Sequence, residues 1–204
     1  MSDQTADRDA IFGGQNRREV LKKIGVGAAA WTVPTILSVK AVAAASGPCC
    51  GEKMLNGSFE SGTGGTPDSW TVTGSAGRAE YSGYTGVITP PAGGGLYSGY
   101  ASVGGGELSQ TASLAPSCAG NTYLLSCQAF APFTTAGTIT LTFTGASSPA
   151  PITVPASPGP PPFSYSAYTL GGTIPSGATA VTVAFTASGG SAYVAMDLVS
   201  FMVC

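Results

Sequence analysis

The sequence predicts an all-β, antiparallel β-sandwich preceded by an export signal, and three observations carry that prediction. Gly (30) and Pro (15) are abundant and charged residues make up only 9% of the 204 positions, a composition suited to short strands and tight turns rather than long helices. After residue 46, short runs rich in Val, Ile, Thr and Tyr alternate with clusters of Gly, Pro, Ser and Asn, the layout of a sandwich or barrel. The first 45 residues have a different character: a charged stretch, an apolar run and a string of alanines.

That leader is the first element. Asn16-Arg-Arg-Glu-Val-Leu-Lys-Lys23 precedes the apolar run Ile24–Leu37, and Lys40 is followed by Ala41-Val-Ala-Ala-Ala-Ser46. Paired arginines, here Arg17 and Arg18, ahead of a moderately apolar segment and an Ala-x-Ala site form the pattern of a bacterial twin-arginine signal peptide. Cleavage after Ala45 makes residues 1–45 the signal and 46–204 the β-sandwich domain. The apolar run is short for a membrane span and Pro34 interrupts it, so no stable span is expected after processing. The implied partner is the twin-arginine export machinery, and the implied location is extracellular or in the cell envelope.

The remaining stretch is long enough for one core, since roughly 150 residues bury about 70% of their unfolded surface. Its strands follow in order. Glu107–Leu114 and Tyr123–Phe130 are candidates, and Thr138-Ile-Thr-Leu-Thr-Phe-Thr144 is the clearest, with Ile139, Leu141 and Phe143 on one face and four threonines on the other. Ser147–Pro162 holds seven prolines and reads as a long loop around one short strand, Ile152–Val154. Phe163–Leu170 and Ala180–Thr186 follow, the second repeating the alternation with Val181, Val183 and Phe185. Gly62–Pro67, Pro90–Gly95 and Pro175–Gly177 are turns.

The closing run, Ser191–Cys204, is apolar apart from Asp197, and no other charge lies between Leu108 and its end. An unpaired buried carboxylate costs several kcal/mol or protonates, so Asp197 needs backbone N–H groups, a cation or a divalent metal. After the leader the cations are Lys53 and Arg78, against Glu52, Glu60, Asp68, Glu80, Glu107 and Asp197. Nucleic acid and anionic membrane are therefore poor partners, and no nucleic acid is expected.

Catalysis is disfavoured too. With no histidine in the chain, Ser–His–Asp and Cys–His chemistry is excluded. Glu80 with Glu107 is the one carboxylate pair that can be nominated for glycoside hydrolysis, and nothing around them supports it. The chain is expected not to be an enzyme.

Five cysteines in an exported chain imply oxidation, with one left over. Cys49 and Cys50 open the domain and Cys204 closes it, so a bridge from one of the pair to Cys204, assigned here as Cys50–Cys204, would join the two ends and stabilise by about 2–4 kcal/mol. Cys118 is left to pair with the other N-terminal cysteine or with Cys127. The inward parity of Cys127 favours a small buried thiol.

Three segments carry a resemblance. Leu55-Asn-Gly-Ser-Phe-Glu60 with Trp70, Leu108-Ser-Gln110 with Tyr123-Leu-Leu-Ser126, and Ile174-Pro-Ser-Gly-Ala178 with Tyr193 and Asp197-Leu-Val-Ser-Phe201 together resemble exported carbohydrate-binding modules built on the galactose-binding-like jelly roll. The resemblance implies two antiparallel sheets with the closing strand beside the opening one. It also implies a structural Ca2+ shared by Glu60 and Asp197, because a hard cation with oxygen ligands relieves two converging carboxylates. The chain departs from the family pattern at Leu198, where a second Asp is common. The alternative is that Asp197 accepts backbone N–H bonds or pairs with Lys53 and that Glu60 is merely exposed.

Sugars stack their CH faces on aromatic rings, which makes Tyr81, Tyr84, Tyr97 and Tyr100, in two copies of Tyr-Ser-Gly-Tyr, the ligand-binding candidates. Trp70 is assigned to the core. The expected function is non-catalytic binding, with a glycan as partner. The alternative is a structural or adhesive cell-surface domain that binds no sugar.

Overall fold

Side-chain alternation along the chain becomes two packed sheets. The computed structural model describes residues 49–83, 88–133, 135–157, 163–190 and 192–204; Arg17, Arg18, the rest of the leader and Tyr84 lie outside the described residues. The first strands are β1 (Gly51–Glu52), β2 (Gly62–Thr63), β3 (Thr66–Pro67), β4 (Thr71–Thr73), β5 (Ala76–Glu80) and β6 (Ile88–Thr89). The middle of the chain forms β7 (Tyr97–Ser102), β8 (Glu107–Ser113), β9 (Thr122–Pro132), β10 (Ala136–Thr144), β11 (Ile152–Val154) and β12 (Ala156–Ser157). Then come β13 (Phe163–Ser164), β14 (Ser166–Thr173), β15 (Ala180–Ser188) and β16 (Tyr193–Val203). Among the described residues the helical elements are two short 3-10 turns, Tyr81–Gly83 and Pro116–Cys118.

A seven-stranded sheet runs β12–β9–β16–β7–β5, with β14 also on β9 and β1 also on β16. A five-stranded sheet runs β11–β10–β15–β8–β4. The closing strand does lie beside the opening one, with Gly51 opposite Val203 and Glu52 opposite Met202. Glu52 seals this junction: its carboxylate accepts the N–H groups of Lys53 (2.9 Å), Met54 (2.8 Å) and Phe201 (2.8 Å) and the Ser200 hydroxyl.

The core lies between the sheets. Ile139, Leu141 and Phe143 of β10 and Val181, Val183 and Phe185 of β15 are buried as their alternation predicts, and meet Leu125, Met196, Phe201 and Val203 of the other sheet. Trp70 is in this core, packed on Phe59 (5.0 Å between centroids) and Phe185 (6.1 Å). Cys127 is buried, and desolvation pushes its thiol up to about 12, which makes it an inert space-filler.

The three resembling segments have a common structural reason. Gly57 lies so close to Val199 that a Cβ would collide with the Val199 carbonyl, and the Gly57 carbonyl accepts the Val199 N–H at 2.9 Å. Asn56 sits at φ 50 and ties its side chain to Ser61 and Asp68. Buried Gln110 then clasps the same loop, accepting from Leu55 N at 2.7 Å and donating to the carbonyls of Leu55 and Ser69, both at 2.9 Å. The opening loop, the Ser-Gln strand and the closing strand are one contact.

Two expectations need correction. The disulfide is Cys49–Cys118, while Cys50 and Cys204 are free thiols. Cys49 is the buried member of the N-terminal pair, its sulfur beside Ser117 in the core region where Cys118 is also buried; Cys50 and Cys204 are solvent-accessible. Phe163–Leu170 is also not one strand. It breaks at Tyr165, because Phe163–Ser164 pairs in parallel with β6 whereas Ser166–Thr173 pairs antiparallel with β9.

Candidate functional site

The outer surface of the seven-stranded sheet holds the site. On β16, Val194 and Met196 face the main core, so Tyr193, Ala195 and Asp197 face outward. On β9 the same parity turns Phe130 outward, and on β7 it turns Tyr100 outward, opposite Ala195. Two segments fold over this face and form a second cluster there, in which Ile88, Phe130, Phe163 and Ala195 are buried with Tyr81, Tyr165 and Tyr193 packed around them.

Asp197 is fully buried on this face. The Tyr81 hydroxyl donates to its Oδ2 at 2.5 Å and the Leu198 N–H to its Oδ1 at 2.6 Å. Leu198 can do this because it takes φ 51 inside a bulge between Asp197 and Ser200. Leu198, which departs from the resembling pattern, therefore supplies a backbone donor here. Desolvation raises the Asp197 carboxyl from its ordinary 3.8 to about 6, and the nearby charge of Glu60 adds to the rise against those two hydrogen bonds. Tyr81 is held well above the normal phenol range by burial first and by Asp197 next.

Glu60 stands in the same neighbourhood, exposed, with Oε1 accepting the Tyr97 N–H at 2.9 Å. The loop carrying Gly94 and Gly95 covers both acids: a Cβ on Gly94 would meet Asp197 Oδ2, and one on Gly95 would collide with the Glu60 carboxylate. The donors gathered here are oxygens, the type a hard divalent cation takes, from two acids; among the described residues no group of three or more acidic, histidine or cysteine side chains is placed to hold a metal. Arg78 does not neutralise the pair, because its guanidinium donates to the carbonyls of Phe59, Glu60, Gly62 and Gly64 at 2.7–3.1 Å.

The four tyrosine candidates are not brought together. Tyr81 is half-buried and spends its hydroxyl on Asp197. Tyr100 shares the outward face with it. Tyr97, three residues earlier on β7, points the opposite way; its ring lies 4.1 Å from the Arg78 guanidinium and its hydroxyl donates to Glu80 at 3.1 Å. That bond to Glu80 is the main reason its pKa is raised. Tyr84 lies outside the described residues. Glu80 and Glu107 stand in different sheets, at Tyr97 and at Thr73 and Thr186 respectively.

Sequence reasoning missed Phe130, Phe163, Tyr165 and Tyr193. Burial raises the pKa of both tyrosines, Tyr193 to about 12, and the Tyr165 hydroxyl lies against those of Ser98 and Tyr81. One signal for Phe130 was legible: it has the parity opposite to Tyr123, Leu125 and Cys127, which places an aromatic ring on a strand's outer face.

No family model matches the chain, and no curated protein matches it. Among solved structures, the carbohydrate-binding module TmCBM61 in complex with beta-1,4-galactotriose is similar at 14% identity and a TM-score of 0.52, covering 76% of this chain and 99% of that one. The enzymatically active domain of tailspike protein 4 of bacteriophage CBA120 is similar at 19% identity and a TM-score of 0.51, with 75% of this chain covering 21% of that one. The likeness is one of fold, a β-sandwich.

Proposed function

We propose that the chain is an exported, non-catalytic module that binds a glycan through the outer face of its seven-stranded sheet. The observation that carries this reading is the aromatic cluster on that face, whose buried rings Phe130 and Phe163 lead to the solvent-exposed Phe133, set in a stretch without charge from Leu108 to Met196. Rings supply stacking surfaces for sugar CH faces, and nearby hydroxyls supply hydrogen bonds. The fold shared with a module solved with a galactotriose supports the reading. Affinity electrophoresis of the oxidised chain against soluble galactan, xylan and hydroxyethylcellulose tests it: retardation by a polymer is expected, and free migration in all of them overturns it. Export rests on Arg17 and Arg18 and the apolar run behind them; among the described residues no helix is long and apolar enough to cross a membrane.

We also propose one structural Ca2+ at Glu60 and Asp197. When bound it would supply the positive charge that a buried carboxylate and its acidic neighbour lack. Glu60 and Asp197 would hold it under the Gly94–Gly95 loop, and Tyr81 would keep Asp197 oriented. Chelator should lower the melting temperature of the native chain, and Asp197→Asn should remove that sensitivity. A melting curve unmoved by chelator would count against the metal.

A further inference from the structure

Phe133 is the unusual aromatic residue of the outward cluster. It caps β9 at φ 60, a left-handed conformation that a bulky L-residue rarely adopts and that Gly or Asn fills at lower cost. The residue is nevertheless 42% exposed, so burial accounts for only part of what holds a phenylalanine there. The ring stands edge-on to Phe163 at 5.2 Å, Phe163 stacks on Phe130 at 5.9 Å, Phe130 meets Tyr165 at 4.8 Å, and Tyr165 meets Tyr81 at 6.1 Å. Five rings thus form a continuous row, braced at the Tyr81 end by Asp197 and open to solvent at the Phe133 end.

We propose that Phe133 is the stacking platform of the binding site and that its occupant is an uncharged sugar ring; this rests on the glycan reading above. Three arguments fix the occupant. The exposed area of Phe133 is on the order of 80 Å² given the usual size of aromatic side chains, a surface suited to one pyranose face. No charged side chain lies between Leu108 and Met196, so the rings around Phe133 offer an acidic sugar nothing to pair with. Arg78 is committed to backbone carbonyls, so it offers a uronate no free guanidinium.

The test uses the full chain with Phe133→Asn, which removes the ring but suits the left-handed backbone, and Phe133→Trp, which keeps a platform and adds a fluorophore. Affinity electrophoresis in hydroxyethylcellulose, carboxymethylcellulose, galactan and polygalacturonan is the readout, with thermal melts as the folding control. We expect retardation in a neutral gel and at least tenfold weaker retardation in the matched charged one. Phe133→Asn should lose at least tenfold in affinity while melting within a few degrees of the native chain. Phe133→Trp should bind within about threefold and shift its emission on adding polymer. Unchanged binding by Phe133→Asn, or equal binding of charged and neutral polymers, overturns the proposal and leaves the glycan reading standing. A native chain that binds no polymer, or one that self-associates until Phe133 is replaced, overturns both.

Discussion

The two sheets bury similar apolar side chains inward and differ in what they show outward. The five-stranded sheet presents Thr138, Thr140, Thr142 and Thr144 on β10 beside Thr182 and Thr186 on β15, with Thr111 across from Thr182 at 2.8 Å between hydroxyls. These side chains are half or fully exposed, and water completes their hydrogen bonds. The seven-stranded sheet instead covers part of its outer face with rings, of which Phe130 and Phe163 are buried, beside the fully buried carboxylate of Asp197. The same alternation thus gives a solvated face in one sheet and a second core in the other. The difference comes from the segments that fold back over the seven-stranded sheet, bringing Tyr81, Phe163 and Tyr165 with them.

The largest effect should separate the core from the solvated face. Phe185→Ala removes a fully buried ring that packs on Trp70 and should cost about 3–5 kcal/mol in denaturant unfolding, whereas Thr142→Ala, on the opposite parity of the neighbouring strand, should stay within about 0.5 kcal/mol.

Next comes pH. The folded pKa of Asp197, about 6, lies above its ordinary 3.8, so between those values the native state holds the extra proton. Stability of the metal-free chain should therefore fall as pH rises through about 4 to 6, by about 3 kcal/mol for a shift of this size. Asp197→Asn should flatten that slope in melts taken across the same range. A slope of the opposite sign in the native chain, traceable to Asp197, would mean that its charged form is the stabilised one. On the Thr face the titratable side chain is Glu107, opposite Thr186, so Glu107→Gln serves as the control for that sheet.

A smaller effect compares two hydroxyls. Tyr81→Phe deletes the donor to Asp197 Oδ2 and leaves a buried charge short of a partner, which should cost about 1.5–3 kcal/mol at pH 7. Thr111→Val breaks an exposed pair with Thr182 and should change stability by no more than about 0.5 kcal/mol. Equal effects would mean that the two outer faces are solvated alike.

Much of the fold was legible because period-2 alternation reports directly on burial: β10 and β15 follow it residue for residue. The site was less legible for equally physical reasons. Tyr97 and Tyr100 belong to one motif copy, yet three positions along a strand put them on opposite faces, so a repeat in sequence is not a cluster in space. Phe163 and Tyr165 meet Phe130 only because the chain leaves one partner strand for another between them, a choice made by contacts far away in sequence. The disulfide followed the same rule. Adjacent cysteines at 49 and 50 face different surroundings, and the inward one took the buried partner.

By itself the sequence determined the all-β class, the two-sided strands, the core around Trp70 and the singular position of Asp197, because composition and alternation act locally. Tertiary structure alone decided that Asp197 meets Tyr81, that Glu60 joins it beneath two glycines, and that Phe133 ends a row of five rings. Those arrangements depend on which strands become neighbours and which segments fold over them, and pairing between distant strands is set by the free energy of the whole sandwich rather than by any one stretch of it.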